Sequence, residues 1–344
     1  MIYIGMDVSS KEFMVHAINE KQKLKFKGGI EPTRRGLRKM IKSLGEESKL
    51  VVFEAGNQLK WIALMLKAIE GVEVHVVHPN EIKWISQSSG KTDKIDARKL
   101  AELARGDMLP RKVHIVEGKA RQLRELVSAR YKLQSKRIAL INSIRGFMKQ
   151  EGYGFPVKFF QSVNWRERLG HMRVGETQKV IIESYMKGIE GLQEAEGELT
   201  EKIKAIKDKK IELLESIPSL GEISSRVIVG AIDGVERFES KKGVAKYGAL
   251  TPRIYQSGGV THLGRINRDG RMEVRRVLLQ CSHTITRMKS YGARPLREFY
   301  ERIAKRRGKK IAIVALARKL LTIAYGVLKT KKMYDPALLT SSFA

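Results

Sequence analysis

Near its start the sequence reads Ile2-Tyr3-Ile4-Gly5-Met6-Asp7-Val8, an apolar run typical of a buried strand that carries one carboxylate near its end. A second apolar run, Leu50-Val51-Val52-Phe53-Glu54, also ends on an acid. Two more acids, Asp93 and Asp96, are three residues apart, so on a helix both carboxylates lie on one face. Because hard divalent cations need oxygen ligands from a few carboxylates, these four acids indicate a site for Mg²⁺ or Mn²⁺.

Each of these acids also has a purely structural interpretation. An Asp that follows a strand, such as Asp7, is often a turn or helix-capping residue. Asp93 and Asp96 could instead stabilise a helix N-terminus through the helix dipole. Glu54 is harder to explain in this way, because an acid beside buried apolar surface costs free energy unless it has a partner. Taken together, the four acids favour the metal site.

The segments after the first strand follow an order that predicts the fold of residues 1–110. Residues 13–18 and 23–27 alternate apolar and polar side chains, which predicts two more strands in an antiparallel meander. Pro32 is suited to the first turn of a basic helix that continues to residue 44. The remaining segments are a strand at 50–54, a helix at 59–69 and a strand at 72–77. Three strands and then alternating helix and strand predict an α/β domain of RNase H-like topology.

The composition favours a polyanionic partner. The chain of 344 residues has 67 Lys and Arg against 37 Asp and Glu, and its formal net charge is +30. The excess is concentrated in residues 111–150, with 11 basic and 2 acidic side chains, and in residues 241–310, with 19 and 4. Such an excess indicates binding to nucleic acid. Together with the acids, it predicts a metal-dependent enzyme that acts on nucleic acid.

Other features of the composition exclude some classes of protein. Cys281 is the only cysteine, which excludes a disulfide framework and a cysteine-rich zinc site. The sequence has no uninterrupted apolar run of the ~18 residues of a membrane span, and no secretory signal is visible. These features predict a cytoplasmic protein without a membrane partner.

Two heptad patterns predict a long helical arm over residues 111–212. The first pattern lies in a helix at 117–150 and the second in a helix at 177–212. Their apolar residues recur every seven positions and are Leu126, Leu133, Leu140 and Phe147 in the first helix and Tyr185, Leu192, Leu199 and Ile206 in the second. Such stripes are typical of a helical hairpin or a coiled coil. The sequence leaves open whether the partner helix belongs to the same chain or to another protomer.

Residues 213–330 predict a mainly helical third domain. The stretch Ile217-Pro218-Ser219-Leu220-Gly221 breaks the preceding helix. This corner could present backbone amides to phosphate, as helix-hairpin-helix elements do, or it could be a tight helical corner without a ligand. The predicted helices of this domain lie at 222–232, 242–247, 272–288, 295–303 and 310–328. The tail at 331–344 has no periodicity and is expected to be loose.

Two stretches rich in Gly and Arg are predicted to be loops of the third domain. They read Thr251-Pro252-Arg253-Ile254-Tyr255-Gln256-Ser257-Gly258-Gly259 and Leu263-Gly264-Arg265-Ile266-Asn267-Arg268-Asp269-Gly270. Such loops let the backbone approach a phosphate closely while guanidinium groups bind it. The candidate phosphate contacts are Arg253, Arg265, Arg268, Arg271, Arg275 and Arg276, with Arg265 as first choice. The nearby His262 and His283 are more simply explained as surface or core residues than as an acid or base.

In this order, Asp7, Glu54, the pair Asp93-x-x-Asp96 and Ser257-Gly258-Gly259 resemble the motifs of the DEDD insertion-sequence transposases. That family includes bridge-RNA-guided DNA recombinases, and a related branch contains the pilin-gene invertases. The resemblance covers about residues 1–330, as a RuvC-like domain, a coiled-coil arm and a C-terminal transposase domain. The sequence departs from the family pattern at two places. The corner at 218–221 lacks the second glycine that is common there, and Gln256 stands where a small polar residue often precedes the serine.

The resemblance implies a chemistry for these residues. The four acids would bind divalent metal, and Ser257 would be a nucleophile that forms a phosphoserine link to DNA while element ends and target are cut and rejoined. From the residues alone, Ser-Gly-Gly is usually a turn. Ser224 and Ser225 are less favoured candidates, because neither lies in the Gly- and Arg-rich context.

The resemblance also implies partners. A homodimer would pair into a tetramer, with the acidic site of one protomer joined to the serine of another. A noncoding guide RNA would pair with both DNA substrates and so determine the sequence that is recognised. Such a protein would act in a prokaryotic cytoplasm, at the nucleoid.

Other functions remain open at this point. A RuvC-like structure-selective nuclease, such as a junction resolvase, would need the four acids but would use water in place of Ser257. A DNA invertase would be a recombinase with a different outcome. A non-catalytic basic nucleic-acid-binding protein would need neither the acids nor the serine. The variants Asp7→Ala and Ser257→Ala discriminate between these functions.

Overall fold

The structure is a computed structural model that describes residues 1–82, 93–156, 158–257 and 260–340. The chain forms two compact units, Met1–Ile115 and Val116–Ala344. The first unit ends close to the boundary predicted after residue 110. The second unit contains both the predicted arm and the region that follows it, so the finer division of the sequence at residue 212 stays a prediction.

In residues 1–82, five strands form one mixed sheet: β1 (Ile2–Val8), β2 (Phe13–Asn19), β3 (Leu24–Ile30), β4 (Lys49–Glu54) and β5 (Val72–Val77). Their order across the sheet is β3-β2-β1-β4-β5. The first three strands form an antiparallel meander, whereas β1, β4 and β5 run parallel to one another. This mixed sheet with helices on it confirms the α/β prediction for the first unit.

Helices cover both faces of this sheet. Ile4 and Met6 of β1 are fully buried in a core that includes side chains of α1 (Arg34–Ser43) and α2 (Leu59–Lys67). The opposite face, which includes Val52 of β4, packs against α3 (Asp93–Arg105). Because side chains alternate along a strand, every second residue of β1 and β4 lies on the α3 side.

The second unit begins with two long helices that pack against each other, α4 (Gly118–Gln150) and α6 (Glu176–Ala205), joined by a segment that contains the short α5 (Trp165–Gly170). They run antiparallel, since Arg130 Nε donates to Thr200 Oγ1 at 2.7 Å and Arg137 pairs with Glu196. The partner helix of the predicted arm therefore lies in the same chain. Coiled-coil geometry in this helical hairpin stays a prediction.

The predicted second helix of the arm is wrong at its C-terminal end. α6 ends at Ala205, because Ile206 is extended with φ −75° and ψ 117°. A separate helix, α7 (Lys209–Glu215), then begins with Asp208 as its N-cap, whose side chain accepts from Lys210 N at 2.9 Å. The heptad pattern continues through the break, so periodicity alone did not show it.

The rest of the second unit is mainly helical, as predicted. Its elements are α8 (Glu222–Ile232), α9 (Lys241–Tyr247), β6 (Pro252–Ser257), β7 (Val260–Ile266), α10 (Met272–Ile285), α11 (Arg294–Arg307), α12 (Lys309–Thr330) and α13 (Ala337–Thr340). Ile228, Leu278 and Leu320 are fully buried members of a core that all the longer helices of this region line. The prediction of loops at 251–270 is wrong for residues 252–257 and 260–266, because there β6 and β7 pair as an antiparallel ribbon. Cross-strand pairing overrides the weak strand pattern of a Gly-rich sequence.

Within the tail that was predicted to be loose, Tyr334 is bound to the rest of the second unit. Tyr334 N donates to Ser216 Oγ at 2.9 Å, and Tyr334 Oη donates to Gly292 O at 2.9 Å. Burial raises the pKa of this phenol to about 12. One aromatic residue thus fixes the segment to the core, an interaction that leaves no periodic pattern in the sequence.

By length and composition alone, α12 could cross a membrane. The sequence had not suggested such a helix, because it contains no uninterrupted apolar run of that length. Leu316, Leu320 and Ala324 of this helix are fully buried in the core of the second unit. Core helices of soluble proteins have the same composition, so this is weak evidence for a membrane span.

Candidate functional site

Asp7 and Glu54 lie next to each other in the register of the sheet. β1 and β4 are parallel neighbours in which Met6 stands opposite Phe53. Asp7 directly follows Met6 on β1, and Glu54 directly follows Phe53 on β4. Adjacent strands are about 4.8 Å apart. Asp7 is half-buried and Glu54, the last residue of β4, is exposed. By the alternation of side chains, both acids belong to the face that α3 covers.

Gly5 determines how closely α3 approaches this edge of the sheet. A Cβ atom at Gly5 would lie 2.6 Å from Ala101 N and 2.9 Å from Leu100 Cβ, and it would overlap Ala97 O. Only glycine is compatible with a helix backbone this close to the strand. The close approach brings the first turns of α3 next to β1, two residues from Asp7.

The first turn of α3 carries the other two acids. Asp93 is the first residue of the helix, and Asp96, which is half-buried, directly precedes the contact at Ala97. Asp93 is described only as part of the helix backbone, and Lys91 and Thr92 of the same motif lie outside the described residues. The fold thus brings α3, with its two acids, to the sheet face of Asp7 and Glu54.

Carboxylates are the right donors for a divalent cation, since Mg²⁺ and Mn²⁺ prefer oxygen ligands. Within residues 1–82, 93–156, 158–257 and 260–340, however, no group of three or more His, Cys, Asp or Glu side chains is close enough to hold a metal ion. The backbone and the register bring the acids to one face of the sheet, while the metal site and its ligand set stay a prediction.

Ser257 is the last residue of β6 and pairs with Val260 of β7, at the tip of the ribbon. Gly258 and Gly259 of the same motif lie outside the described residues. The two less favoured serines are in a different environment. Ser224 and Ser225 are buried in α8, with 7% and 0% exposure, and Ser224 Oγ donates to Gly221 O at 2.9 Å. Neither of these two hydroxyls is accessible to a phosphodiester.

The six candidate arginines divide into two groups. Arg253, Arg265 and Arg268 are exposed on or beside the ribbon. The others lie on or next to α10 and have partners within the protein. Arg271 Nε donates to Tyr247 Oη at 3.4 Å, Arg275 Nη1 donates to Asn267 O at 3.4 Å, and the Arg276 guanidinium lies 4.9 Å from the Tyr131 ring centroid. Arg276 is nevertheless exposed, whereas Arg271 and Arg275 are half-buried. The exposed His262 lies on β7, and the exposed His283 on α10.

An arginine cluster surrounds Tyr247, and no pattern in the sequence indicated it. Arg124 Nη2 donates to Tyr247 Oη at 3.1 Å and to Ala231 O at 3.0 Å, and the Arg237 guanidinium lies 4.4 Å from the Tyr247 ring centroid. Burial lowers the pKa of Arg124 to about 10. Burial would raise the pKa of Tyr247, but Arg124, Arg271 and Arg237 outweigh it and lower that pKa. In a sequence, a buried arginine cannot be told from the solvated members of the same basic run.

Two family models of known proteins match two separate stretches of the chain. A family model described as transposase, of the DEDD type, matches residues 4–152, and the model of the transposase IS116/IS110/IS902 family matches residues 211–301. Together these matches cover more than half of the chain.

Individual relatives agree with the family models. The transposase for insertion sequence element IS1111A of Coxiella burnetii is 25% identical over 96% of this chain and 90% of its own length. The transposase for insertion sequence element IS1328 of Yersinia enterocolitica is 23% identical over 75% of this chain and 77% of its own. A pilin gene-inverting protein of Moraxella bovis is 33% identical over 36% of this chain and 38% of its own.

Proposed function

The chain belongs to the transposase IS116/IS110/IS902 family and is a DNA transposase or recombinase, and from this premise we propose that it cuts and rejoins DNA with divalent metal ions and a serine nucleophile. The observation that carries the proposal is the arrangement around β1. Asp7 and Glu54 follow the paired Met6 and Phe53 on parallel strands, and Gly5 admits the helix that carries the other acids.

In this proposal, Asp7, Glu54, Asp93 and Asp96 hold Mg²⁺ or Mn²⁺. The strand order β3-β2-β1-β4-β5, with its antiparallel meander followed by parallel strands, supports an RNase H-like, RuvC-like domain. Metal ions held by these carboxylates would supply positive charge that stabilises a phosphoryl displacement. The four carboxylates would hold the metal ions, with Asp7 and Glu54 on strands β1 and β4 and Asp93 and Asp96 in the first turn of α3.

Ser257 is the proposed nucleophile. Its hydroxyl attacks a DNA phosphorus, the bond from phosphorus to the leaving strand oxygen breaks, and the hydroxyl proton is transferred to a base, which leaves a phosphoserine bond. A hydroxyl is a weak nucleophile until a base or metal activates it. The burial of Ser224 and Ser225 supports the choice. In the rejoining step, a free strand hydroxyl displaces the serine.

The proposed partners are DNA, at element ends and target, and a noncoding guide RNA. A guide RNA would leave the protein to bind backbone and shape, which suits its net charge of +30. The antiparallel pair α4 and α6 is proposed to act as a coiled-coil arm in a dimer that pairs into a tetramer. We expect the reaction to take place in a prokaryotic cytoplasm, at the nucleoid.

The metal half of the proposal is tested with Asp7→Asn, which removes one ligand charge at nearly constant volume. Labelled DNA of the element's own end is incubated with the purified protein and any nucleic acid that it carries, with Mg²⁺ or with a chelator. We expect DNA processing with Mg²⁺ alone, and its loss in the variant. Asp107→Asn, at an exposed position after α3, is the matched control and should retain activity. Processing that survives both the chelator and Asp7→Asn would contradict a carboxylate-bound metal.

A further inference from the structure

The ribbon of β6 and β7 presents apolar side chains to solvent. Ile254 is 63% exposed and Tyr255 is 58% exposed, although adjacent strand residues lie on opposite faces. A two-stranded ribbon on its own is only marginally stable in water. A ribbon that exposes an aliphatic side chain on one face and an aromatic side chain on the other is therefore suited to a partner that covers it.

Tyr255 occupies a position that a glycine on the neighbouring strand makes available. It stands directly opposite His262. A Cβ atom at Gly264 would lie 2.9 Å from Tyr255 Cε2 and 3.5 Å from Arg253 Cβ. The phenol ring thus lies against the backbone of β7 at a place where only glycine leaves room for it. More than half of Tyr255 nevertheless stays exposed, so the ring contacts β7 and is still open to solvent.

The charged residues near Tyr255 in the sequence are all basic. No Asp or Glu occurs from Pro252 to Arg268, and Arg253 and Arg265 are exposed on the two strands of the ribbon. The register shifts between Pro252 and Ile254, so that strict alternation is interrupted and Gly264 and Arg265 together stand opposite Arg253. The positive charge is complementary to phosphate. An exposed aromatic ring flanked by guanidinium groups is the combination with which proteins bind single-stranded nucleic acid, because every base can stack on the ring while arginines contact the backbone.

We propose that Tyr255 is a stacking platform for an unpaired base of the DNA strand, with Arg253 and Arg265 on the phosphates that flank it. The inference rests on the proposed function, because Ser257 lies two residues further along the same strand. The stacked base then belongs to a nucleotide beside the bond that is cut. Tyr255 is a positioning residue: it holds the strand at the ribbon tip and takes no part in bond making.

The test measures binding without cleavage, in the presence of a chelator. Two labelled probes of equal length are used, an oligothymidylate and a strand of abasic residues with the same number of phosphates. The full-length protein is compared with Tyr255→Ala, Tyr255→Phe and Ile254→Ala. Ile254 is the matched control, since it neighbours Tyr255, has similar exposure and lies on the opposite face.

The protein is expected to bind oligothymidylate more tightly than the abasic strand. Tyr255→Ala should weaken oligothymidylate binding by about tenfold, within the usual range for loss of one stacked base, and leave abasic binding unchanged. Tyr255→Phe, which keeps the ring, should stay within about twofold of the original affinity. Gly264→Ala should shift affinity in the same direction as Tyr255→Ala, because the new methyl group displaces the ring.

Equal losses on both probes, no loss, or the same loss in Ile254→Ala would overturn the platform. The platform would also be overturned if Tyr255→Ala kept the original preference for oligothymidylate and instead changed the molar mass of the protein in sedimentation. The ribbon would then bind protein. Because the assay contains no metal ions and does not involve bond cleavage, it is independent of the serine chemistry. If Ser257 is not the nucleophile, the result of the binding assay can still be interpreted.

Discussion

At the scale of single residues, Gly5 links the sequence to the candidate metal site. Its position admits the backbone of α3 against β1, with Ala101 N 2.6 Å from where a Cβ would be. The sequence showed an apolar run that ends in an acid, but it did not show that the glycine inside this run mattered. The reason is that close approach of two backbones depends on tertiary packing.

Gly5→Ala is expected to lower the free energy of unfolding by about 1–3 kcal/mol, the usual cost of overpacking a core. It should also reduce metal-dependent activity, because α3 and its acids must move away from β1. Urea unfolding followed by circular dichroism measures the first effect. Gly56→Ala is the control, since nothing lies within 4 Å of a Cβ there. Equal stability of the two variants would argue against the close approach.

Tyr247 gives a prediction that depends on pH. Its pKa is lowered in the folded protein because Arg124, Arg271 and Arg237 outweigh the effect of burial. Between that value and the unfolded value near 10, the unfolded chain binds more protons on this group. The free energy of unfolding therefore gains a contribution as pH rises through this window, and loses it as pH falls through the folded pKa.

Ultraviolet absorbance at the phenolate band measures this titration. One tyrosine is expected to ionise before the others as pH rises, and Tyr247→Phe should abolish this early phase. Tyr131→Phe should leave the phase intact, because burial raises the pKa of Tyr131. An early phase that persists in Tyr247→Phe would place the perturbed phenol elsewhere.

At the scale of elements, the helical hairpin of α4 and α6 has an ion pair in its interface. Arg137 Nε lies 2.7 Å from Glu196 Oε1, and the two side chains are only 21% and 10% exposed. Breaking a buried pair by removing one partner leaves an uncompensated charge, whereas replacing both partners with apolar side chains is often neutral. The exposed pair Arg121–Glu125 on α4 lacks this burial.

Glu196→Leu alone is therefore expected to destabilise the protein by about 3 kcal/mol, and Arg137→Met in the same chain should recover most of the loss. Arg121→Ala should cost less than about 1 kcal/mol. Thermal or urea unfolding of the three variants measures these changes in the free energy of unfolding. If the double variant were as unstable as the single one, the pair would act through packing and not through charge.

The sequence predicted most elements but missed features that depend on contacts between them. The long heptads predicted the two arm helices, because apolar stripes directly reflect packing. The break at Ile206 was missed, since the pattern continues through it, and the ribbon of β6 and β7 was predicted as loops because its Gly-rich strands pair only with each other. Tyr334 fixes the tail through two hydrogen bonds that no periodicity reveals.

At the scale of the whole molecule, the net charge of +30 predicts binding to DNA that weakens steeply as salt increases. Arg265→Ala is expected to weaken binding on all sequences alike and to reduce the slope of log affinity against log salt by about one. Fluorescence anisotropy over a salt series measures both. Arg276→Ala is the comparison, because that guanidinium already lies over the Tyr131 ring. A larger loss of slope in Arg276→Ala would reverse the assignment.

The sequence singled out the residues of the candidate site but did not show how they are arranged. The four acids and Ser257 were recognised by spacing and resemblance, and the sheet register brings Asp7 and Glu54 together. Burial makes Ser224 and Ser225 inaccessible, which sequence context alone could not show.

The most direct test of the serine chemistry is to look for a covalent bond between protein and DNA. The protein, with any nucleic acid that it carries, is mixed with Mg²⁺ and labelled DNA of its element's end, and the products are separated under denaturing conditions. We expect a labelled adduct that mass spectrometry assigns to Ser257 and that disappears in both Ser257→Ala and Asp7→Asn. Cleaved DNA without an adduct, unchanged by Ser257→Ala, would contradict it and leave a nuclease that uses water.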